Sequence, residues 1–225
     1  MTMAGTETGA GQAILHDYWR SSASYRVRIA LALKGIAYRR VVVDLVAGDQ
    51  RAPAHLALNP QGLVPALEID GLVLTQSLAI LDYLDETRPD PPLLPADPAA
   101  RASMRAIALA VACEVHPVSN LSVLARVEAL AGADARGEWN RDNICRGLAA
   151  VERLLHHPGF TGQFCYGDRP GLADCTLIPQ LYNASRWGVG FDHLPRISAV
   201  ARACAVHPAF LAAHPEAVAP AVPAA

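Results

Sequence analysis

Charge, aromatic residues and long apolar runs are all scarce in this 225-residue sequence. Charged residues make up 18% of it, aromatic residues 6%, and the formal net charge is −2. The absence of a basic block or an acidic tail argues against a nucleic-acid partner. No apolar run is long enough to span a bilayer, and residues 1–12 are too polar for a signal peptide. The composition predicts a soluble globular protein with one large domain or two small ones.

The five cysteines, at positions 113, 145, 165, 175 and 204, follow no recognisable pattern. Their number is odd, and their spacing matches neither a metal site nor a Cys-x-x-Cys motif. We therefore expect free, mostly structural thiols, no bound metal and a reducing, cytoplasmic location.

The first part of the chain alternates short apolar runs with helical patterns. Strands are predicted at 13–18, 38–43, 66–69 and 72–74, and helices at 22–34, 51–58 and from 77 onward. Asp70-Gly71, between two apolar runs, is a strong hairpin signal. The order βαβ and then αββα predicts a mixed four-stranded sheet with one parallel pair and one antiparallel hairpin.

The second part of the chain is helical by pattern. Five prolines between Arg88 and Pro98 indicate a linker, and helical periodicity follows around 101–131, 138–156 and 173–187. We predict five segments: a flexible extension (1–12), an α/β domain (13–88), a linker (89–98), an all-helical domain (99–214) and a tail with little structure (215–225).

Two predicted helix starts carry polar groups suited to an anion. Ser21 and Ser22 lie where the first strand turns into an amphipathic helix, directly after Arg20. Gln76 and Ser77 open a later helix in the same way. Free backbone N–H groups and hydroxyls at a helix N-terminus favour negative charge. The serines are equally suited to plain helix capping, so the residue types alone leave the function open.

These residues carry a resemblance to the zeta class of glutathione transferases, which includes maleylacetoacetate and maleylpyruvate isomerases. The resemblance spans about residues 13–210 and rests on ordered motifs: S-S-x-S-x-R-V-R-I-A-L-A-L-K-G from Ser21, N-P and V-P within 59–65, Q-S-L-A-I from Gln76, N-L-S-V-L from Asn120, G-D at 167, A-D at 173 and P-Q at 179. It implies a thioredoxin-like α/β N-terminal domain, an all-α C-terminal domain and a homodimer, which together make the glutathione transferase fold.

The resemblance also implies glutathione as the cofactor. Ser21, with Ser22 beside it, is expected to donate a hydrogen bond to the thiol sulfur and so favour the thiolate. The other implied glutathione contacts are Gln50 at the glycyl end, Val64 before a cis Pro65 at the cysteinyl backbone, Gln76 and Ser77 at the γ-glutamyl carboxylate, and His116, Asn120 and Ser122 from the helical domain.

The implied substrate is a small dicarboxylate diketo-acid. In this class the thiolate adds to the cis double bond, and its elimination after rotation leaves the trans isomer and regenerates glutathione. Arg20 and Arg186 match arginines that the class uses for the substrate, and arginine suits bidentate carboxylate binding. The expected activity is conversion of maleylacetoacetate to fumarylacetoacetate in aromatic amino-acid catabolism, in tyrosine degradation.

Departures from the class pattern keep alternatives open. Ala23 replaces the usual cysteine, which argues against reductive dehalogenation, a reaction that needs a protein thiol. His116-Pro117 and Asn120 resemble maleylpyruvate isomerases of gentisate degradation, whereas Leu121-Ser122 lacks their arginines. Gly171 replaces the usual Ser or Thr N-cap of a later helix. A maleylpyruvate isomerase, a general conjugating transferase and a non-catalytic glutathione-binding protein are the alternatives.

Overall fold

The computed structural model describes residues 12–220. The extension predicted at 1–12 lies outside the described residues except for Gln12, as do residues 221–225 of the predicted tail. The strands are Ala13–Asp17 (β1), Tyr38–Val42 (β2), Ala66–Ile69 (β3) and Leu72–Thr75 (β4).

These strands form the predicted mixed sheet, in the order β2-β1-β3-β4. Strand β1 lies parallel to β2 and antiparallel to β3, so that Leu15 is opposite both Arg40 and Leu67. Strands β3 and β4 form the antiparallel hairpin. Asp70 and Gly71 turn it with φ values of 53° and 76°, in the left-handed region that an Asp-Gly pair tolerates well.

Three helices accompany the sheet: Ser22–Leu33 (α1), Pro53–Leu58 (α2) and Ser77–Thr87 (α3). Helix α1 ends before Gly35, whose φ of 65° fits the predicted C′ glycine. The expectation that α1 is amphipathic is wrong, because every residue from Ser24 to Leu31 is buried. The helix packs against α3 on one side and against the helical part of the molecule on another.

The chain after the linker is helical, as predicted. The helices are Pro98–Leu109 (α4), which continues as a π-helical turn at Ala110–Val115, Leu121–Ala131 (α5), Ala133–Leu154 (α6), Leu172–Arg186 (α7), Pro195–Ala205 (α8) and Pro208–Ala213 (α9). The last two were not among the predicted helical stretches. Helix α7 is central, since it packs against α1, α4 and α8.

The N-terminus of α7 is held by a buried carboxylate. Asp174 accepts hydrogen bonds from the backbone N–H groups of Gly171 and Cys165, both at 2.8 Å. Burial raises the pKa of Asp174 to about 6. Gly171 itself lies so close to the linker that a Cβ placed on it would be 2.6 Å from the carbonyl oxygen of Leu93. Close packing therefore accounts for glycine at this N-cap position.

The expectation that the tail has little structure is wrong at its beginning. Pro215 is buried and starts a 3₁₀ turn that runs to Ala217. Arg40 Nη1, on β2, donates to the carbonyl oxygen of Val218 at 2.7 Å. A hydrogen bond to the sheet thus holds this part of the tail in place.

All five cysteines are free, and Cys165, Cys175 and Cys204 are buried, which raises the pKa of each thiol. Among the described residues, no group of three His, Cys, Asp or Glu side chains is placed to hold a metal ion. Within residues 12–220 no single helix is long and apolar enough to cross a membrane. Pro98–Ser119 and Leu121–Ala131 meet that requirement only as a pair, with a 45° bend between them.

Candidate active site

Ser21 is the N-cap of α1, with an extended backbone at φ −68° and ψ 120°. Its Oγ accepts the backbone N–H of Ser24 at 3.2 Å. A serine hydroxyl has one proton and two acceptor positions, so this bond leaves the Ser21 proton available for a second partner. Capping and donation to a ligand, which compete as interpretations of the sequence, are compatible in the structure.

Ser22 is placed differently. Its side chain is buried, and its Oγ donates to the carbonyl oxygen of Pro179 on α7 at 3.3 Å. This bond holds α1 against the helical part of the molecule. The role of Ser22 beside a thiol stays a prediction. Ala23, the next residue, leaves α1 without a thiol at this end.

A cleft of about 490 Å³ brings the two predicted arginines together. The Arg20 guanidinium lies over the Trp19 ring, 4.2 Å from its centroid. The Arg186 guanidinium lies 6.0 Å from the centroid of Tyr182. Stacking of this kind holds a guanidinium while its N–H edge stays free for an oxygen ligand. Two arginines that line one cleft suit a dicarboxylate.

The cleft also contains residues that the sequence analysis missed: Trp19, Tyr182, Ser185, His214 and Glu216. Tyr182 and Ser185 lie on α7 with Arg186. Tyr182 precedes Arg186 by four residues, so its place on the same helix face could have been predicted from that spacing. His214 and Glu216 come from the end of the described chain, and no local pattern connects them to the site.

His214 has a defined orientation in this cleft. Its Nδ1 accepts the backbone N–H of Glu216 at 3.3 Å, so the neutral ring carries its proton on Nε2. The rings of Tyr182 and Tyr25 contact it edge-on, with centroids 5.4 Å and 6.0 Å away. The neutral ring therefore offers an N–H donor on its other side.

A second group of predicted residues meets at the N-terminus of α3. Gln76 has a φ of 65°, which is uncommon for a residue other than glycine and is often found at functional sites. Its Nε2 donates to Gln61 Oε1 at 2.7 Å. Ser77 is buried and accepts a 3.1 Å hydrogen bond from Arg26 Nη1. Arg26 is a further residue that the sequence analysis did not select.

Val64, Pro65 and Gln50 lie in and beside the loop before β3. The Val64–Pro65 bond is cis, as the resemblance implies. Gln50 Oε1 is buried and has no hydrogen-bond partner within the described chain. The Gln50 carbonyl lies 3.2 Å from where a Cβ on Gly62 would be, so this loop packs closely on the turn that carries Gln50.

The three residues predicted from the helical part are spread out. His116 follows the π-helical turn, where burial first and the nearby Arg26 charge second lower its pKa to about 3. Asn120 is the N-cap residue of α5, and Ser122 is exposed on that helix. Within residues 12–220, neither Asn120 nor Ser122 forms a side-chain hydrogen bond to another predicted site residue. The Arg26 charge thus acts on His116, but among the described residues no hydrogen bond joins any of the three to the Arg26–Ser77 pair.

Three of the polar groups described above have the chemistry that glutathione requires. The free Ser21 proton suits a thiolate, the buried Ser77 hydroxyl and its arginine suit a carboxylate, and the partnerless Gln50 oxygen suits an N–H donor. Ser21 directly follows Arg20, so the N-terminus of α1 lies beside a residue that lines the cleft. A thioredoxin-like sheet unit followed by a helical unit, with a site of this kind, defines a glutathione transferase.

Comparison with known proteins agrees with that class. The family model described as Glutathione S-transferase, N-terminal domain, matches residues 11–86, and that for the C-terminal domain matches residues 123–215. The chain belongs to the glutathione S-transferase family, and its similarity to solved structures places it in the zeta class.

Individual relatives cover almost the whole chain. It is 58% identical to a maleylacetoacetate isomerase of Rhizobium meliloti over 92% of this chain and 98% of that protein. A glutathione-bound maleylacetoacetate isomerase from Anaeromyxobacter dehalogenans superimposes with a TM-score of 0.85 at 44% identity, covering 94% of this chain and 98% of the other. A holo maleylpyruvate isomerase, described as a bacterial zeta-class enzyme, gives a TM-score of 0.89 at 41% identity, covering 93% and 100%.

Proposed function

We propose that this protein is a glutathione-dependent cis–trans isomerase that converts maleylacetoacetate to fumarylacetoacetate. The observation that carries the proposal is the placement of Arg20 and Arg186 in one cleft, with Arg20 adjacent in sequence to the Ser21 hydroxyl. That placement puts dicarboxylate recognition next to thiol activation. The 58% identity to a maleylacetoacetate isomerase supports the same substrate.

The residues of the α1 N-terminus would activate the thiol. A free thiol has a pKa near 8.5, so only a small part of it is thiolate at neutral pH. Ser21 would donate its proton as a hydrogen bond to the sulfur, and the N-terminus of α1 would add a favourable dipole. Bound glutathione supplies the nucleophile that makes the maleyl double bond transiently single. Ser21 acts as a donor in this scheme, because the pKa of a serine hydroxyl is too high for a base.

The residues of the cleft would hold the substrate. Arg20 and Arg186 would bind its carboxylates and offset the negative charge that develops on the diketo group. Gln50, Val64, Pro65, Gln76 and Ser77 would line the glutathione chain in the order that the resemblance implies, with His116, Asn120 and Ser122 on the helical side. These assignments rest on motif positions together with the hydrogen bonds of Ser21 and Ser77.

The second candidate is maleylpyruvate isomerisation. It is supported by the His116-Pro117 and Asn120 pattern and by the TM-score of 0.89 to a maleylpyruvate isomerase. The two substrates share the maleyl group and differ beyond it, so the same thiol and arginine chemistry serves both. The choice between them depends on how the other residues that line the cleft, His214 and Glu216 among them, accommodate the remainder of the substrate.

The test is an isomerase assay with each substrate, with and without glutathione. We expect turnover of maleylacetoacetate that requires glutathione and leaves its total concentration unchanged. A higher kcat/KM for maleylpyruvate would favour the second candidate. Turnover of α-halo acids with net loss of glutathione, and without isomerisation, would instead indicate a conjugating transferase. Absence of glutathione-dependent isomerisation of both maleyl substrates would overturn the proposal.

We further propose a cytoplasmic homodimer, as the resemblance implies. Free cysteines agree with a reducing compartment. Exposed apolar side chains at Leu63, Leu109 and Leu121 provide surface that a second copy can cover. Sedimentation should therefore give twice the chain mass of 23.9 kDa.

A further inference from the structure

Arg26 is a buried arginine that pairs with no acidic side chain among residues 12–220. Its side chain lies in the middle of α1, and the residue is only 2% exposed. One of its donors, Nη1, bonds to Ser77 Oγ at 3.1 Å, while Nε and Nη2 are buried and have no hydrogen-bond partner within residues 12–220. Arg28, two residues later on the same helix, shows the usual solution, because its Nη1 pairs with Asp17 Oδ1 at 2.6 Å.

A buried charge of this kind is unfavourable in the protein alone. Burial lowers the pKa of Arg26 to about 10, so the guanidinium remains charged at neutral pH. Its titratable neighbours, His116 and Cys113, do not compensate it. The Arg26 charge helps to keep His116 neutral, and Cys113 is a free thiol. A buried charge without a partner costs far more than a paired one, so its retention requires a reason.

The bond to Ser77 indicates where the counter-charge binds. Because Ser77 Oγ accepts from Arg26, the Ser77 proton is directed to another acceptor. Ser77 is the first residue of α3, an 11-residue helix whose N-terminal backbone N–H groups favour an anion at the same place. The guanidinium, the hydroxyl and the helix N-terminus therefore act in the same direction on one carboxylate.

We propose that Arg26 is a positioning residue for the γ-glutamyl carboxylate of glutathione, which acts by fixing the Ser77 hydroxyl as a donor and by supplying the buried counter-charge. This inference rests on the proposed function, in which glutathione binds at this face. It distinguishes Arg26 from the structural Arg28. Glutathione binding would then offset the unfavourable burial of the Arg26 charge. The protein's preference for the γ-glutamyl group would depend on Arg26, which contacts Ser77 and not the ligand.

The test compares the variants Arg26→Met, Arg26→Lys and Ser77→Ala, with Arg39→Gln as a control that removes an exposed arginine from β2. Calorimetry would measure Kd for glutathione and for an analogue that lacks the γ-glutamyl α-carboxylate. Thermal unfolding without ligand would give Tm. A structural role predicts a lower ligand-free Tm and an unchanged Kd for glutathione. A positioning role predicts a higher Kd for glutathione and a ligand-free Tm that does not fall.

We expect Arg26→Met to raise Kd for glutathione by about 10- to 100-fold, the range for a lost hydrogen bond with a charged group. Kd for the analogue should not change, and the Tm of the ligand-free protein should equal or exceed that of the wild type. Arg26→Lys should fall between the two, since it keeps the charge without the planar donor set. In the double variant, Arg26→Met should add little to Ser77→Ala.

A lower ligand-free Tm together with an unchanged Kd for glutathione would assign Arg26 a structural role and overturn the inference. Equal weakening of glutathione and of the analogue would also overturn it, because the effect would not pass through the γ-glutamyl carboxylate. A wild-type protein that does not bind glutathione would overturn the proposed function itself, which is a different result.

Discussion

Replacing Ser21 by alanine tests the central chemical assignment, since its hydroxyl caps α1 in the structure and donates to the thiolate in the proposed function. As a donor to a thiolate it makes a charge-assisted hydrogen bond, worth about 1.5–3 kcal/mol. One pKa unit corresponds to about 1.4 kcal/mol, so Ser21→Ala should raise the pKa of the bound glutathione thiol by about 1–2 units. As an N-cap, the oxygen accepts from Ser24 at 3.2 Å, and its loss should lower the free energy of unfolding by about 1 kcal/mol.

The thiol pKa is measured from the ultraviolet absorbance of the thiolate in the protein–glutathione complex as pH is raised. The pH below which kcat/KM declines should rise by the same number of pH units in Ser21→Ala. Ser21→Thr keeps both a donor and a cap and should stay near the wild type. Ser22→Ala is the matched control, because the Ser22 hydroxyl donates to the Pro179 carbonyl at 3.3 Å. It should cost about 0.5–1.5 kcal/mol of stability and leave the thiol pKa unchanged. A thiol pKa that rises in Ser22→Ala but not in Ser21→Ala would refute the reasoning.

Three further predictions test separate parts of the structure. Arg186→Ala should raise KM for the maleyl substrate by about 10- to 100-fold, because a charged hydrogen bond is lost. Arg186→Lys should restore KM only in part. An unchanged KM in steady-state assays would show that Arg186 does not bind the substrate. Gly171→Ser should lower the free energy of unfolding by about 1–3 kcal/mol, because its Cβ would meet the Leu93 carbonyl oxygen at 2.6 Å. The control Gly190→Ala, which has no atom within 4 Å of the new Cβ, should be nearly neutral in thermal unfolding, and a stabilised Gly171→Ser would contradict the packing argument. Because the pKa of His116 is lowered to about 3, its ring should remain neutral throughout the range in which histidine usually titrates. The ring proton resonance of His116 is identified in NMR spectra as the one that is lost in His116→Gln. Titration of that resonance near neutral pH in the wild type would contradict the expectation.

The sheet half of the fold was predictable because its signals are local. The Asp70-Gly71 hairpin, the glycine after α1 and the apolar runs each depend on a few adjacent residues. Helices α8 and α9, with the sequences PRISAVARACA and PAFLAA, lie within the segment predicted to be all-helical, 99–214, but neither was placed individually, although α8 is clearly amphipathic. The proline that starts each of them was a usable signal.

Within the candidate site, the two helix starts could be predicted from neighbouring residues, whereas Arg186 was selected only through the family resemblance. Ser21 follows Arg20, and Ser77 follows Gln76, so each pair marks a helix start. His214 and Glu216 reach the cleft only because α9 returns to α1, a contact that no local pattern encodes. Burial of Arg26 was hidden for the same reason, since an arginine on a helix is expected to be exposed until the packing around that helix is known.

One buried guanidinium, that of Arg28, links the end of β1 to two of the chain segments that line the cleft. Arg28 pairs with Asp17 at the end of β1, donates from Nη2 to the Trp19 carbonyl and donates from Nε to the carbonyl of Ala213, both at 3.0 Å. Trp19 precedes the Arg20–Ser21 segment, and Ala213 precedes His214. Two of the three segments that line the cleft, 19–20 and 214–216, therefore share one buried, ion-paired anchor, and the third segment belongs to α7. Buried pairs of this kind are weak sources of stability but specify position well, and here the pair fixes the position of His214 relative to Arg20 and Ser21.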